Sequence, residues 1–176
     1  QGEQVGRSEV AFSALFWLAA ALRDSGNLSA AETELARALD ICERAGLIAQ
    51  SVEAISARAV ALALAGRNEQ AKAAAEEAER LAGRLHYPVG QAAKAEAAAA
   101  TADDPAACAA AIDDARQRWL ELGRPLDAAR CLMLRGRLLT DSDPDAAKDL
   151  LDSAASEYEE LGAPALAERA REAVPS

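Results

Sequence analysis

A helical hairpin recurs four times in this 176-residue chain, at a spacing of 37 to 40 residues. When Ala38, Ala78, Ala115 and Ala154 are aligned, small or apolar residues fall into columns around them. Seven positions upstream stand Ala31, Ala71, Cys108 and Ala147, and three upstream stand Leu35, Ala75, Ile112 and Leu151. Eight downstream come Gly46, His86, Gly123 and Gly162, and Pro88, Pro125 and Pro164 follow two residues after the last three. A period in this range marks a stack of supersecondary units, each burying its apolar face only against a neighbour. Stacks of this kind mostly bind other molecules, so the pattern points to a class of function without naming a ligand.

Alanine makes up roughly a quarter of the residues and aromatics only 3%. Alanine favours helix strongly but buries little surface, so its helices must approach closely to gain contact. No segment alternates β-branched residues with a period of two, and no strands are expected. With 29 acidic against 19 basic residues, the formal charge is −10. Such a surface repels a phosphate backbone, which argues against direct nucleic-acid binding. Cys42, Cys108 and Cys131 are widely spaced and form no CxxC pair, as fits a reducing cytoplasm. The apolar run 10–22 after Arg7 is too short to span a bilayer, and the repeat continues directly from it. It reads as the first helix of unit one, not as a targeting signal. Because the chain starts at Gln1, it is expected to be a fragment or a processed product.

The expected units cover residues 8–46, 47–87, 88–124 and 125–163, with a capping helix over 165–174, all in one domain spanning 1–176. Helices are expected over 8–24 and 29–45, over 48–65 and 69–85, and on either side of the Asp104-Pro105 and Asp143-Pro144 pairs. In each pair aspartate caps free N–H groups while proline takes the first helical position, where its missing donor costs nothing. Gly26 and Gly66 supply the left-handed turn that ends a helix.

Gly26-Asn27-Leu28-x-x-Ala31 and Gly66-Arg67-x-x-x-Ala71 resemble the turn and second-helix start of a tetratricopeptide repeat. Leu15, Leu18, Ala19 and Leu22 resemble its first-helix pattern in unit one, as do Leu132 and Gly136 in unit four. Unit three departs, since residues 92–100 carry almost no large side chains, and the units exceed the usual repeat length. The resemblance implies an all-α, right-handed superhelical solenoid of four hairpins plus a C-terminal capping helix. Residues 159–171, from Glu159-Glu160-Leu161-Gly162 to Arg169-Ala170-Arg171, resemble the close of the repeat region in large bacterial LuxR-type and signal-transduction ATPase regulators. That resemblance implies a parent chain with an NTPase and a DNA-binding domain, neither of which has a motif here.

Several patterns that could carry chemistry have simpler explanations. His86 is the only histidine, which leaves no His-based triad or two-histidine metal site; it is expected to meet the carbonyl end of a helix. Asp141, Asp143, Asp145, Asp149 and Asp152 imitate a calcium loop, but Ala146 and Asp152 replace its required glycine and glutamate. They read as caps. The adjacent pairs Asp103-Asp104, Asp113-Asp114 and Glu76-Glu77 point apart on a helix. Trp119 and Tyr158 hold equivalent places and are expected to stack between units.

Transferring the tetratricopeptide geometry places Ser13, Phe16, Ala20 and Arg23 on a concave inner face. Glu53, Ser56, Val60 and Ala63 follow from unit two, and Arg130, Met133, Arg137 and Thr140 from unit four. Small residues of unit three would leave this groove wide, and its arginines would favour an acidic or carboxylate-bearing partner. The first helix is apolar nearly all round, so Phe12, Phe16 and Trp17 are expected to meet either a neighbouring repeat or a second copy in a homodimer.

The chain therefore reads as a cytoplasmic, non-catalytic domain for protein or peptide recognition and for regulation of domains in its own parent chain. It implies no cofactor, no metal and no membrane partner. The alternative is a stand-alone dimerising scaffold with no role in gene regulation.

Overall fold

The computed structural model describes residues 2–175, and side chains from residue 6 onward. Gln1, where the expectation of a fragment begins, lies outside the described residues. Nine α-helices and no strand are found among them: α1 (Gly2–Asp24), α2 (Leu28–Ala45), α3 (Ile48–Leu64), α4 (Asn68–Ala82), α5 (Pro88–Ala100), α6 (Pro105–Glu121), α7 (Pro125–Leu139), α8 (Pro144–Glu160) and α9 (Pro164–Glu172). No helix among the described residues is long and apolar enough to cross a membrane.

Local chemistry explains the boundaries. Gly26, Gly46, Gly66, Gly123 and Gly162 all adopt positive φ, between 68° and 80°. After each, the next N–H returns to a carbonyl five residues back, as in Asn27 to Leu22, Leu47 to Cys42 and Arg124 to Trp119. This shared closure ends five helices and starts the next within two residues. The restarts follow the expected caps. Asp104 accepts from the N–H groups of Ala106 and Ala107, at 3.0 and 2.9 Å, and Asp143 accepts from Ala146 at 3.1 Å. Unit two departs from expectation, because α4 ends at Ala82 rather than near residue 85. Arg84 and Leu85 turn their N–H groups back three residues, and Gln91 Nε2 donates to the Ala82 carbonyl at 3.0 Å. His86 consequently sits exposed in the loop to Pro88, beyond the helix end it was expected to meet.

Packing follows chain order. The hairpins α1–α2, α3–α4, α5–α6 and α7–α8 are closely paired, each outer helix packs on the next inner one, and α9 packs on α8. The inner helices also touch in succession, α1 on α3, α3 on α5 and α5 on α7. The small-residue columns are the contact points: Ala38, Ala78, Ala115 and Ala154 are wholly buried, as are Ala31, Ala71 and Ala147. A methyl group there lets backbones approach where a leucine would hold them apart. Gly136 takes this furthest, since a Cβ at its position would meet Leu151 Cγ at 2.7 Å.

The residues of the first helix expected to meet a neighbour or a second copy differ in burial. Phe12 is only 4% exposed and packs with Leu35, Ala38 and Cys42 of its own hairpin and with Leu47 at the start of α3. Its side chain is already covered within the chain. Trp17 and Leu18 remain about half exposed, and Val10 more so.

Candidate functional site

The inner helices converge on one cleft lined by apolar Phe16, Ala19, Ala20, Leu35, Ala57 and Ala93 and by a set of polar side chains. From α1 comes Arg23, from α3 Glu53 and Ser56, from α5 Glu96, from α6 Trp119, and from the start of α7 Arg124, Asp127 and Arg130. The cleft is not wide. It encloses about 40 Å³, room for about three waters.

What narrows it is a set of links between α1 and α7, which stand at opposite ends of the inner row. Arg130 Nε donates to Asp24 Oδ2 at 3.2 Å, and its Nη1 donates to Asp127 Oδ1 at 2.6 Å. Arg137 Nη1 donates to the Arg23 carbonyl at 2.9 Å. The Arg124 guanidinium lies 4.5 Å from the Trp119 ring centre and 5.6 Å from that of Trp17, within cation–π range of both. Its Nε donates to Asp127 Oδ2 at 2.8 Å. Arg23 closes the network by donating from Nε and Nη2 to Asp24 Oδ1, at 3.2 and 3.1 Å.

Each arginine of the cleft is thus held by Asp24 or Asp127. Burial pushes the Asp24 carboxyl upward, but the neighbouring Arg23 and Arg130 outweigh it and hold the carboxyl below its ordinary range. The two glutamates differ. Glu53 accepts a hydrogen bond from the Tyr87 hydroxyl, and Glu96 accepts one from Trp119 Nε1 at 2.5 Å. Both donors are neutral, and among the described residues neither glutamate forms an ion pair. Burial raises both carboxyls; the Tyr87 hydrogen bond opposes this at Glu53, as the charges of Arg23 and Arg130 do at Glu96. Ser56 Oγ is fully buried in the cleft wall and has no hydrogen-bond partner among the described residues. Arg58 Nε and Tyr158 Oη are also buried without partners, but neither residue lines this cleft.

The sequence-derived groove residues divide accordingly. Phe16, Ala20, Arg23, Glu53, Ser56 and Arg130 line the cleft. Met133 and Arg137 border a smaller adjoining cavity with Arg23, Asp24 and Glu96. Ser13 is exposed outside the lining, and Val60 is buried in the core among Ala92, Ile112 and Cys131. Ala63 and Thr140 border open clefts at the turn edge. Arg130 is spent on Asp24 and Asp127, whereas Arg137 donates to a backbone carbonyl.

Sequence reasoning missed Asp24, Glu96, Arg124 and Asp127. Glu96 had a signal: it is the one acidic residue of the alanine-rich α5, and the only other charge there, Lys94, pairs outward with Glu79. Arg124, Asp127 and Arg130 recur at three-residue steps, which puts them on one helix face. Trp119, expected to stack between units, is buried, with the Arg124 guanidinium over its ring and its Nε1 donating to Glu96.

No protein-family model matches the chain, and searches of curated proteins and of solved structures find no match to it.

Proposed function

We propose that the chain is a non-catalytic recognition domain whose inner-helix cleft takes part of a protein or peptide partner. The supporting observation is that polar groups from five helices gather in one cleft of an otherwise alanine-packed stack. The finer reading is a right-handed, tetratricopeptide-like superhelix acting as a regulatory arm, with the bacterial LuxR-type or signal-transduction regulators as parents. It rests on the sequence resemblance. Binding would have to displace the α1–α7 links, so occupancy of the cleft would be coupled to the separation of its two ends.

Peptide display against the intact chain tests this. Enriched peptides should be lost when Ala20→Trp or Ala57→Trp fills the cleft, with folding verified by circular dichroism. Peptides retained equally by the filled variants, or no enrichment, would reject the cleft as the site.

The exposed Val10, Trp17 and Leu18 of α1 favour the second reading, a dimerising scaffold. Light scattering of the wild type and of a Trp17→Ser, Leu18→Ser variant separates the two, since only a dimer should lose mass.

A further inference from the structure

The charge pattern of the cleft specifies more than a binding surface. We propose that Glu53, Glu96 and Ser56 form a subsite for a primary alkylammonium group. The proposal rests on reading the inner-helix cleft as the recognition site, and it reverses the acidic partner expected from the groove arginines.

Three observations carry it. First, the cations of the cleft are already matched. Arg23 bonds Asp24, Arg124 bonds Asp127 and Arg130 bonds both, so an incoming anion would compete with a carboxylate already in place at every guanidinium. Second, Glu53 and Glu96 lack that satisfaction. Each takes one hydrogen bond from a neutral donor, and in both it falls on Oε1. A buried carboxylate is stabilised by a charged donor far more than by a neutral one. Third, Ser56 Oγ is buried in the same wall with no partner among the described residues, although a buried hydroxyl ordinarily has one. Ser56 lies one turn beyond Glu53 on α3, and Glu96 faces the same cleft from α5.

An ammonium carries three N–H donors and no acceptor. The subsite presents two carboxylates and one hydroxyl, all able to accept. A guanidinium is a planar fork matched to bidentate carboxylate pairing, whereas a –CH2–NH3+ end is a compact point charge whose donors can turn to separate acceptors. The apolar walls at Phe16, Leu35 and Ala93 suit the methylenes that follow. The ammonium belongs either to a free amine or to a lysine side chain, and the chemistry at the subsite is the same.

The test is calorimetric titration of the intact chain with n-butylammonium, with N-acetyl-lysine methylamide, and with n-butyrate as the anionic control. Saturable binding of either amine, with no binding of butyrate, is expected. Glu53→Gln and Glu96→Gln should each weaken it at least tenfold, and Ser56→Ala several-fold, in variants whose circular dichroism matches the wild type. Butylammonium binding alone indicates a free amine as the natural source, and stronger binding of the lysine derivative indicates a peptide. Failure of both amines to bind, binding of butyrate, or amine affinity unchanged in both glutamine variants overturns the proposal. Should the amines fail while displayed peptides still depend on an unfilled cleft, the ammonium subsite falls and the recognition cleft stands.

Discussion

Arg130 reaches Asp24 across the cleft, Nε to Oδ2 at 3.2 Å, although 106 residues separate them in the chain. Their side chains are 12% and 4% exposed, so the pair is screened little by solvent. Removing one partner strands the other charge. Arg130→Met should therefore lower stability by about 3–5 kcal/mol, the usual cost of breaking a buried ion pair, as read by urea denaturation. In a cycle with Asp24→Asn the two losses should fall short of additivity by about 0.5–3 kcal/mol. Strict additivity would show that the contact holds nothing.

Gly136→Ala tests the closeness of α7 and α8. The new methyl would lie 2.7 Å from Leu151 Cγ and 3.2 Å from the Ala147 carbonyl oxygen. Overpacking of this kind costs about 1–3 kcal/mol, more than the gain of about 1 kcal/mol from replacing a helical glycine. Thermal melting should show a net loss. Gly6→Ala, with open space around its Cβ position, should be neutral or stabilising. Equal melting shifts for both would contradict the packing described.

Stability should pass through a maximum in mildly acidic solution. Asp24 has its carboxyl lowered from an ordinary value near 3.8, because the attraction of Arg23 and Arg130 overcomes burial. Its contribution is present above that value and lost as pH falls through the lowered one. Glu53 and Glu96 have theirs raised from about 4.5 by burial. Their contribution is full below that value and lost as pH rises through the raised ones. Denaturant midpoints for Glu96→Gln should thus change less between pH 5 and pH 8 than those of the wild type. An unchanged slope would remove Glu96 from this account.

Arg124→Ala withdraws a guanidinium from two indole rings and from Asp127. A loss of about 1–2 kcal/mol is expected for a partly desolvated cation–π contact, with tryptophan emission shifting to longer wavelength. Arg124→Lys should restore little, since an ammonium has neither the planar stacking surface nor the fork. Full rescue by lysine would reduce the site to simple charge.

Most of the helices could be read from the sequence because their ends carry local signals. Asp104-Pro105 and Asp143-Pro144 cap as written, and the alanine columns are where backbones touch. The end of α4 could not, because the repeat places a helix terminus at His86 while the turn after Ala82 is set by Gln91, nine residues on. The cleft was half visible. Glu53, Ser56 and Arg130 follow from matching positions between units. Asp24 and Arg124 do not, since they act across the stack between helices that never pair along the chain. Repeat spacing describes neighbours, and the α1–α7 links join non-neighbours. A wide basic groove was therefore expected where a narrow one with spent arginines is found.

The meeting of α1 with α7 also fixes how many hairpins can lie between them. An open array tolerates duplication or loss of a copy, because each member answers only to the ones beside it. Here the curl must bring Asp24 opposite Arg130 and Trp17 beside Arg124, and inserting or deleting one hairpin would rotate those partners out of reach. The number of hairpins between α1 and α7 is pinned by geometry, as the number of staves is pinned in a barrel.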